Sequence, residues 1–222
     1  MELSEVKSNK IIKSREAILY IKGDYISKIF HDSITMNSRI NIIEVFLNNI
    51  VKGFPKILEY VYDKDELVGY MMNYYLNIKS IQSIKNLRQL KEKCIELIYI
   101  YINLKNEYNL CYCDFHEKNI YIHHNSILLL DADSSVPKNK ETEILTDRYL
   151  CDFIIKMIYN TSFFDNELYY LQNEREIIRN HLYTTASGEK IETLDNLEEF
   201  TQNVTKSDIR KVLQKIPYKI TK

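Results

Sequence analysis

Glycine, proline, cysteine and tryptophan are all scarce in this chain. The 222 residues include four glycines, three prolines, four cysteines and no tryptophan. No internal repeat and no low-complexity linker interrupts the sequence. The length suffices for one substantial core, or for two small lobes that share one cleft.

Long hydrophobic runs are also missing. No apolar stretch approaches the roughly 20 residues needed to span a bilayer. The first residues, MELSEVKSNKIIKSRE, lack the apolar core of a signal peptide. We therefore expect a cytoplasmic protein that has no membrane partner. In that compartment the four cysteines are expected to be reduced thiols: Cys94, Cys111, Cys113 and Cys151.

There is no excess of charge of either sign. The formal net charge is −1, with 45% apolar and 27% charged residues, which is ordinary for a soluble globular protein. This balance gives no whole-protein electrostatic reason to bind nucleic acid or an anionic membrane. We predict no nucleic-acid partner.

The first part of the chain has the pattern of strands. Three short β-rich runs, NKIIKS, AILYIK and YISKIF, come first, and Gly23-Asp24 separates the last two. The period of NSRINIIEVFLNNIV predicts a helix with Asn37 or Ser38 as its N-cap. The segment GFPKILEYVYDKDELVGYMMNYY predicts two antiparallel strands joined at residues 63–66. Five strands are expected, with a helix between the third and the fourth.

The rest of the chain is mostly helical in pattern. Apolar residues at spacings of three and four predict a long helix from about Ile81 to about Asn106. Two short strands, NIYIHH and SILLLD, hinge at Asn125-Ser126, and a polar loop with Pro137 follows. Helices are then predicted over DRYLCDFIIKMIY and NELYYLQNEREIIRNHLY. The expected fold class is α+β, with an N-lobe over 1–76 and a C-lobe over 77–222.

Five polar residues interrupt these apolar patterns: Lys28, Glu44, Asp114, Asn119 and Asp131. Phosphoryl transfer from a nucleotide needs cations beside the phosphates, oxygen ligands for Mg²⁺ and a carboxylate that orients the attacking hydroxyl. Asn119 and Asp131 offer metal ligands, and Asp114 offers the carboxylate. Lys28 is expected to hold the phosphates, and Glu44 to fix Lys28 by an ion pair.

The same residues resemble motifs of the protein kinase-like superfamily. YCDFHEKN is similar to the catalytic loop H-R-D-x-x-x-x-N, which puts Asp114 on the catalytic Asp and Asn119 on the metal-binding Asn. LLLDAD resembles the strand that ends in D-F-G, with Asp131 on the metal-binding Asp. YISKIF resembles the strand that carries the V-A-I-K lysine, and INIIEVF the helix of its glutamate partner. The resemblance implies ATP and Mg²⁺ as cofactors.

Further residues are assigned by the resemblance alone. MMNYYL is similar to the hinge that holds adenine, with Met72 as gatekeeper followed by Asn73 and Tyr74. His116, two residues after Asp114, resembles the D-L-H-P-x-N of aminoglycoside and choline kinases, where it is expected to touch the γ-phosphate or to lie exposed in the turn. Asp147 occupies the structural Asp position at the start of the helix after the activation segment.

The chain departs from the kinase pattern at several places. No glycine precedes Gly23, and KSREA stands where a Gly-rich loop is expected. Tyr112 and Cys113 replace His and Arg, and Asp133 replaces the Gly of D-F-G. Asp133 is interpreted as loop decoration. The segment from Asp131 to Asp147 is too short for a peptide-substrate platform, a feature that RIO-type and tRNA-modification kinases share.

These departures leave several functions open. The leading prediction is transfer of the γ-phosphate of ATP to a hydroxyl of a protein or a small molecule. The alternative is a pseudokinase that senses nucleotide or scaffolds a partner. A protein kinase for one docked partner, in a toxin–antitoxin or phage-defence setting, and a nucleotidyl transferase are further readings. The C-terminal segment from about Thr184 is expected to hold a turn and a partner-binding helix.

Overall fold

The computed structural model of the chain describes residues 1–8, 10–161 and 163–216. The strands are β1 (Ile11–Lys13), β2 (Ala17–Lys22), β3 (Tyr25–Phe30), β4 (Ile57–Asp63), β5 (Glu66–Asn73), β6 (Lys79–Ser80), β7 (Leu110–Tyr112), β8 (Ile120–His123), β9 (Ser126–Leu129) and β10 (Ser135–Pro137). The helices are α1 (Leu3–Val6), α2 (Ser33–Asn48), α3 (Leu87–Tyr108), α4 (Lys140–Tyr159), α5 (Phe163–Asn166), α6 (Gln172–Leu182), α7 (Leu194–Asn203) and α8 (Lys206–Leu213). Short 3₁₀ turns lie at Ile81–Ser83, Ala132–Ser134 and Glu167–Tyr169.

The first five strands form one antiparallel sheet in the order β1-β2-β3-β5-β4. Gly23, with φ +61°, makes the tight turn between β2 and β3, where a residue with a Cβ is disfavoured. The predicted five strands, with a helix between the third and the fourth, are confirmed. On the buried face of β3, Lys28 stands directly opposite Tyr70 of β5.

Strand β5 approaches β3 closely beside this pair. A Cβ on Gly69 would collide with the backbone carbonyl oxygen of Lys28. Glycine is therefore required at this position, because the two backbones leave no room for a side chain. The close approach fixes the strand on which Lys28 lies.

Helix α2 begins earlier than its sequence pattern predicts. Its N-cap is Asp32, whose carboxylate accepts a hydrogen bond of 2.7 Å from the amide of Thr35. The predicted caps, Asn37 and Ser38, are wrong, since an Asp at the N-cap satisfies the first-turn amides several residues upstream. Met36, Ile42, Ile43 and Phe46 bury the apolar side of the helix in the core, while Asn37, Ser38 and Glu44 are exposed.

Helix α3 is the centre of the helical part. Asn86 caps it through hydrogen bonds from the amides of Arg88 and Gln89, and Asn109 ends it in a left-handed conformation. Its side chains at helical spacing are almost fully buried, among them Cys94, Leu97, Ile98, Tyr101 and Leu104. The predicted long helix is confirmed, although its first residues form a separate 3₁₀ turn.

The elements after the second strand pair differ in detail from the prediction. The β8–β9 turn lies at His124-Asn125, with φ of 46° and 64°, rather than at Asn125-Ser126. The predicted polar loop contains β10, which pairs with β7. Helix α4 starts at Lys140, because the side chain of Asn139 accepts hydrogen bonds from the amides of its first turn.

The C-terminal helices complete the core of the chain. Leu197 and Phe200 of α7 are buried in the same apolar cluster as α3. The apolar face of the segment that was predicted to bind a partner thus packs within this chain. A partner for its exposed face stays a prediction, and residues 217–222 of that segment lie outside the described residues.

No helix in the described part of the chain combines the length and the apolarity that a membrane crossing needs.

Candidate active site

Lys28 and Asp131 are 103 residues apart in sequence and 3.2 Å apart in space, measured from Nζ to Oδ1. The Lys28 ammonium also lies 2.9 Å and 3.0 Å from the two carboxylate oxygens of Asp133. Lys28 is 5% exposed, so it does not reach bulk water along the sheet edge. The buried ammonium has specific anionic partners instead.

Asp133 is the hub of this arrangement. Besides Lys28, it accepts a hydrogen bond of 2.6 Å from the hydroxyl of Tyr70 and pairs with the guanidinium of Arg39. Arg39 comes from α2 and also binds Glu16 at 2.8 Å. Asp133 is 2% exposed. A buried carboxylate needs such donors to offset its lost hydration, and here three separate side chains supply them.

The ionisation of this cluster follows from these contacts. Burial by itself lowers the pKa of Lys28, but the charges of Asp133 and Asp131 outweigh it and raise the pKa above its usual value. Burial by itself raises the pKa of Asp133, but Lys28, Tyr70 and Arg39 together hold that pKa below its usual value. Lys28 and Asp133 are both charged at neutral pH.

The predicted ion pair between Lys28 and Glu44 is wrong. Glu44 is exposed on α2, and its charge acts on the Tyr60 hydroxyl rather than on Lys28. Arg39 is the α2 residue that reaches the cleft instead. The helical pattern predicted Glu44 beside the apolar stripe of α2. In the structure its side chain is exposed and does not face the sheet.

The turn from Asp114 to Asn119 joins β7 to β8. The side-chain Nδ2 of Asn119 donates a 2.6 Å hydrogen bond to Oδ2 of Asp114, which holds the carboxylate in one orientation. The backbone oxygen of Asn119 accepts from the amide of Leu130, at 2.8 Å, so the turn is joined to the residue before Asp131. The two predicted motifs therefore lie side by side.

Asp131 has a left-handed backbone, with φ 54° and ψ 54°. Aspartate tolerates this region better than most residues with a Cβ. The hydroxyl of Tyr112 donates a 2.8 Å hydrogen bond to the carbonyl of Leu130 and supports the bend. The bend directs the Asp131 carboxylate, whose side chain is 39% exposed, to the cleft and to Lys28.

A cleft of about 290 Å³ connects these groups. Lys28, Asp114 and Asp131 line it together, as do Arg39 of α2 and the β1–β2 turn at residues 14–16. The structure thus brings one predicted phosphate ligand, the predicted catalytic carboxylate and one predicted metal ligand to a single space. Asn119 does not line this space, but its side chain contacts Asp114, which does.

Other predicted site residues lie elsewhere. His116 is exposed, and its Nδ1 accepts from the amide of Lys118 within the turn. Met72 is buried opposite Ile26, two residues before Lys28. Among the described residues that line the cleft, His116 and the predicted hinge residues Met72, Asn73 and Tyr74 do not occur. Their roles stay predictions.

Asp147 is not at the start of a helix. It lies inside α4, where the ammonium of Lys105 is 2.9 Å and the hydroxyl of Tyr101 is 2.7 Å away. The Tyr101 ring in turn packs edge-on against Phe115 of the turn from Asp114 to Asn119. Asp147 therefore supports the turn through a tyrosine ring, which agrees with a structural role.

The donor set at the cleft suits a hard cation better than a soft one. Asp131 offers a carboxylate and Asn119 an amide, and Mg²⁺ is held in proteins by one or two such groups together with water and substrate phosphates. Among the described residues, no group of three or more His, Cys, Asp or Glu side chains is placed to hold a metal alone. The residues present fit a magnesium ion that arrives with a polyphosphate.

Sequence reasoning missed four residues of the hydrogen-bond network around Lys28. Asp133 was interpreted as loop decoration, although its position two residues after Asp131 in DAD was a signal. Arg39, Glu16 and Tyr70 gave no signal, because their relation to Lys28 depends on strand register and on the rotation of α2.

Comparison with known proteins gives a likeness at the level of structure. No protein-family model and no curated protein matches the chain. A high-resolution crystal structure of WbdD superposes with a TM-score of 0.54 at 12% identity, over 93% of this chain and 50% of that one. A structure of the bifunctional kinase-methyltransferase WbdD gives 0.52 at 14% identity, over 90% and 47%.

At these identities the likeness shows the fold alone, and the chain spans about half the length of the WbdD chains, 50% of the first. The sheet order and the helical part agree with that likeness. The protein has a two-lobed α+β fold of the protein kinase-like type, with a five-stranded antiparallel sheet and a reduced helical part, as the sequence predicted.

Proposed function

We propose that the protein is an ATP- and Mg²⁺-dependent phosphotransferase that moves the γ-phosphate to a hydroxyl of a protein or a small molecule. The observation that carries this proposal is the convergence of Lys28, Asp114 and Asp131 on one cleft. Lys28 lies 103 residues before Asp131 in the sequence. A solvated surface turn at Asp114 would not require a buried lysine beside Asp131.

Each side chain has a part in this reaction. Asp114, oriented by Asn119, accepts the proton of the acceptor hydroxyl while the hydroxyl oxygen attacks the γ-phosphorus of ATP. Lys28 offsets the charge of the phosphate oxygens and can exchange Asp131 for them, since Asp131 is its more exposed partner. Asp131 and Asn119 would hold the magnesium ion, which offsets the charge that develops on the transferred group.

One observation favours the pseudokinase as a second candidate. The Lys28 ammonium already has three carboxylate contacts, two of them with the deeply buried Asp133. A phosphate must compete with these anions, and no glycine-rich backbone loop assists it. A protein that binds nucleotide weakly and does not turn it over would have the same features.

Labelled ATP separates these candidates. Wild type, Asp114→Asn and Asp131→Asn are incubated with Mg²⁺ and either γ- or α-labelled ATP, and Asp65→Asn, an exposed change in the β4–β5 turn, is the control. We expect γ-label transfer or release that falls on the order of 10²-fold or more in both cleft variants. The control is expected to keep the wild-type rate.

The other outcomes are equally specific. Equal rates in all four proteins would exclude the catalytic claim. Transfer of α-label to protein would indicate nucleotidyl transfer. Thermal stabilisation by Mg²⁺ and ATP without any product would favour the pseudokinase.

A further inference from the structure

The β1–β2 turn covers the cleft without the backbone that a glycine-rich loop provides. Ser14, Arg15 and Glu16 line the same space as Lys28 and Asp131. In a glycine-rich loop, backbone amides point at the phosphates. Here the amide of Ser14 donates to the carbonyl of Ala17 at 2.9 Å, and the amide of Ala17 donates to the Ser14 hydroxyl at 3.0 Å. Two amides of the turn are therefore used within it.

The turn is also held from its other side. The carbonyl of Glu16 accepts from the amide of His31 at 2.9 Å, and the carbonyl of Ser14 lies 3.1 Å from the His31 ring. These contacts fix where the turn lies relative to β3. Its side chains are thereby placed at the cleft by a braced backbone.

Two arginines stand at this edge of the cleft. Arg15 is exposed at the tip of the turn, and within the described residues no carboxylate lies at ion-pair distance from it. Arg39 divides its guanidinium between the buried Asp133 and Glu16. The side chain of Glu16 is 52% exposed, whereas that of Asp133 is fully buried. Of the two acids, Glu16 is therefore the one that can leave Arg39 and return to water.

The charges of the cleft call for such an exchange. Three cations line it, Arg15, Lys28 and Arg39, together with three anions, Glu16, Asp114 and Asp131. A polyphosphate brings several negative charges to the same space. It binds favourably only where cations give up protein carboxylates or were unpaired beforehand, because like charges in contact are destabilising.

We infer that Arg15 and Arg39 bind the polyphosphate of the nucleotide through their side chains in place of a glycine-rich loop, and that Glu16 occupies Arg39 until the nucleotide arrives. The inference rests on the proposed function, since it concerns the same nucleotide. Arginine suits this role because its planar fork binds phosphate oxygens in pairs. Glu16 then acts as an internal competitor that lowers the affinity for nucleotide.

Binding of adenosine, AMP, ADP and ATP, with Mg²⁺ present, tests this inference by calorimetry. The proteins are wild type, Arg15→Ala, Glu16→Gln and the control Arg88→Ala, which removes an exposed arginine from α3. Arg15→Ala is expected to weaken ATP binding about tenfold, ADP binding less and adenosine binding not at all, because a charge-assisted contact to phosphate is lost. Glu16→Gln is expected to tighten ATP binding several-fold, which loss of structure alone would not produce.

Three results overturn the inference. One is that wild type binds ATP and that Arg15→Ala or Glu16→Gln binds ATP with the same affinity as wild type. Another is an equal loss for adenosine and ATP in Arg15→Ala, which would indicate damage to the adenosine site. A wild type that binds none of the four ligands would remove the proposed function itself, and the inference with it.

Discussion

Asp133 stands at the position where a D-F-G motif has glycine, and its two carboxylate oxygens lie 2.9 Å and 3.0 Å from the ammonium of Lys28. In the kinase pattern that the chain resembles, a glutamate on the helix after the third strand has this task. Here the helix contributes Arg39, a cation, and the anion, Asp133, comes from the segment that follows β9. Compared with that pattern, the helix residue has the opposite charge, and the counter-ion of Lys28 is Asp133 instead of a helix residue. Lys28 thereby stays charged and held in one position.

Asp133→Asn is expected to destabilise the protein by about 3–5 kcal/mol, because it leaves Lys28 and Arg39 without their shared buried counter-charge. Glu44→Gln is the matched control and is expected to change the free energy of unfolding by no more than about 0.5 kcal/mol, since Glu44 is exposed. Urea denaturation of the two variants and wild type measures both values. Equal losses would restore Glu44 as a structural partner of the site.

Two acids on either side of Arg179 are expected to respond to pH in opposite directions. Burial raises the pKa of Asp152 more than the Arg179 and Arg148 charges lower it. Hydrogen bonds from Arg179 lower the pKa of Glu167. Because its pKa is raised in the folded protein, Asp152 contributes stability below the unfolded pKa of 3.8. This contribution is lost as pH rises through the folded pKa. A depressed pKa gives stability above 4.5 that is lost as pH falls through the folded pKa.

Asp152→Asn is therefore expected to be more stable than wild type at about pH 7, with a difference that shrinks as pH falls toward about 3. Glu167→Gln is expected to be less stable than wild type at neutral pH, and this difference also shrinks toward low pH. Denaturant midpoints across this range measure both. Asparagine and glutamine keep an acceptor for Arg179, so the contrast reports charge. Loss of stability in both variants at neutral pH would contradict the predicted opposite effects of the two charges.

Gly69→Ala is expected to destabilise the protein by about 3 kcal/mol, because the new Cβ meets the Lys28 carbonyl oxygen and forces β5 away from β3. Gly23→Asn is the control. Its site has φ +61° and open space, and asparagine tolerates that conformation, so a loss under about 1 kcal/mol is expected. Thermal unfolding compares the two. A Gly69→Ala protein as stable as Gly23→Asn would show that the strands can separate at this point without penalty.

Much of the fold was predictable because its signals are local. Alternation over YISKIF put Lys28 on the same face as Ile26 and Phe30, and period-3.6 spacing located α3. The order of strands and helix then gave the fold class. The errors occurred where a side chain overrode the apolar pattern, as Asp32 and Asn139 did in capping α2 and α4 upstream of the expected starts.

The candidate site was predictable in part for the same reason. Asp114 and Asn119 are five residues apart, so one turn brings them together whatever the rest of the chain does. Lys28 and Asp131 could be paired only through the motif order of the kinase-like superfamily, since nothing local joins residues 103 positions apart. The partner of Lys28 was assigned to Glu44, because the resemblance puts a glutamate on that helix, and Asp133 was interpreted as loop decoration.

The linear order of residues determined which chemical groups this protein has and which short turns and faces they occupy, because hydrogen bonds and side-chain direction act over a few residues. Only the tertiary structure decided which acid neutralises Lys28. That choice depends on the register of β3 against β5, on the rotation of α2 and on the left-handed bend at Asp131. These three features are set by packing across the whole core, where a register shift of one residue in β3 would turn Lys28 to the other face of the sheet.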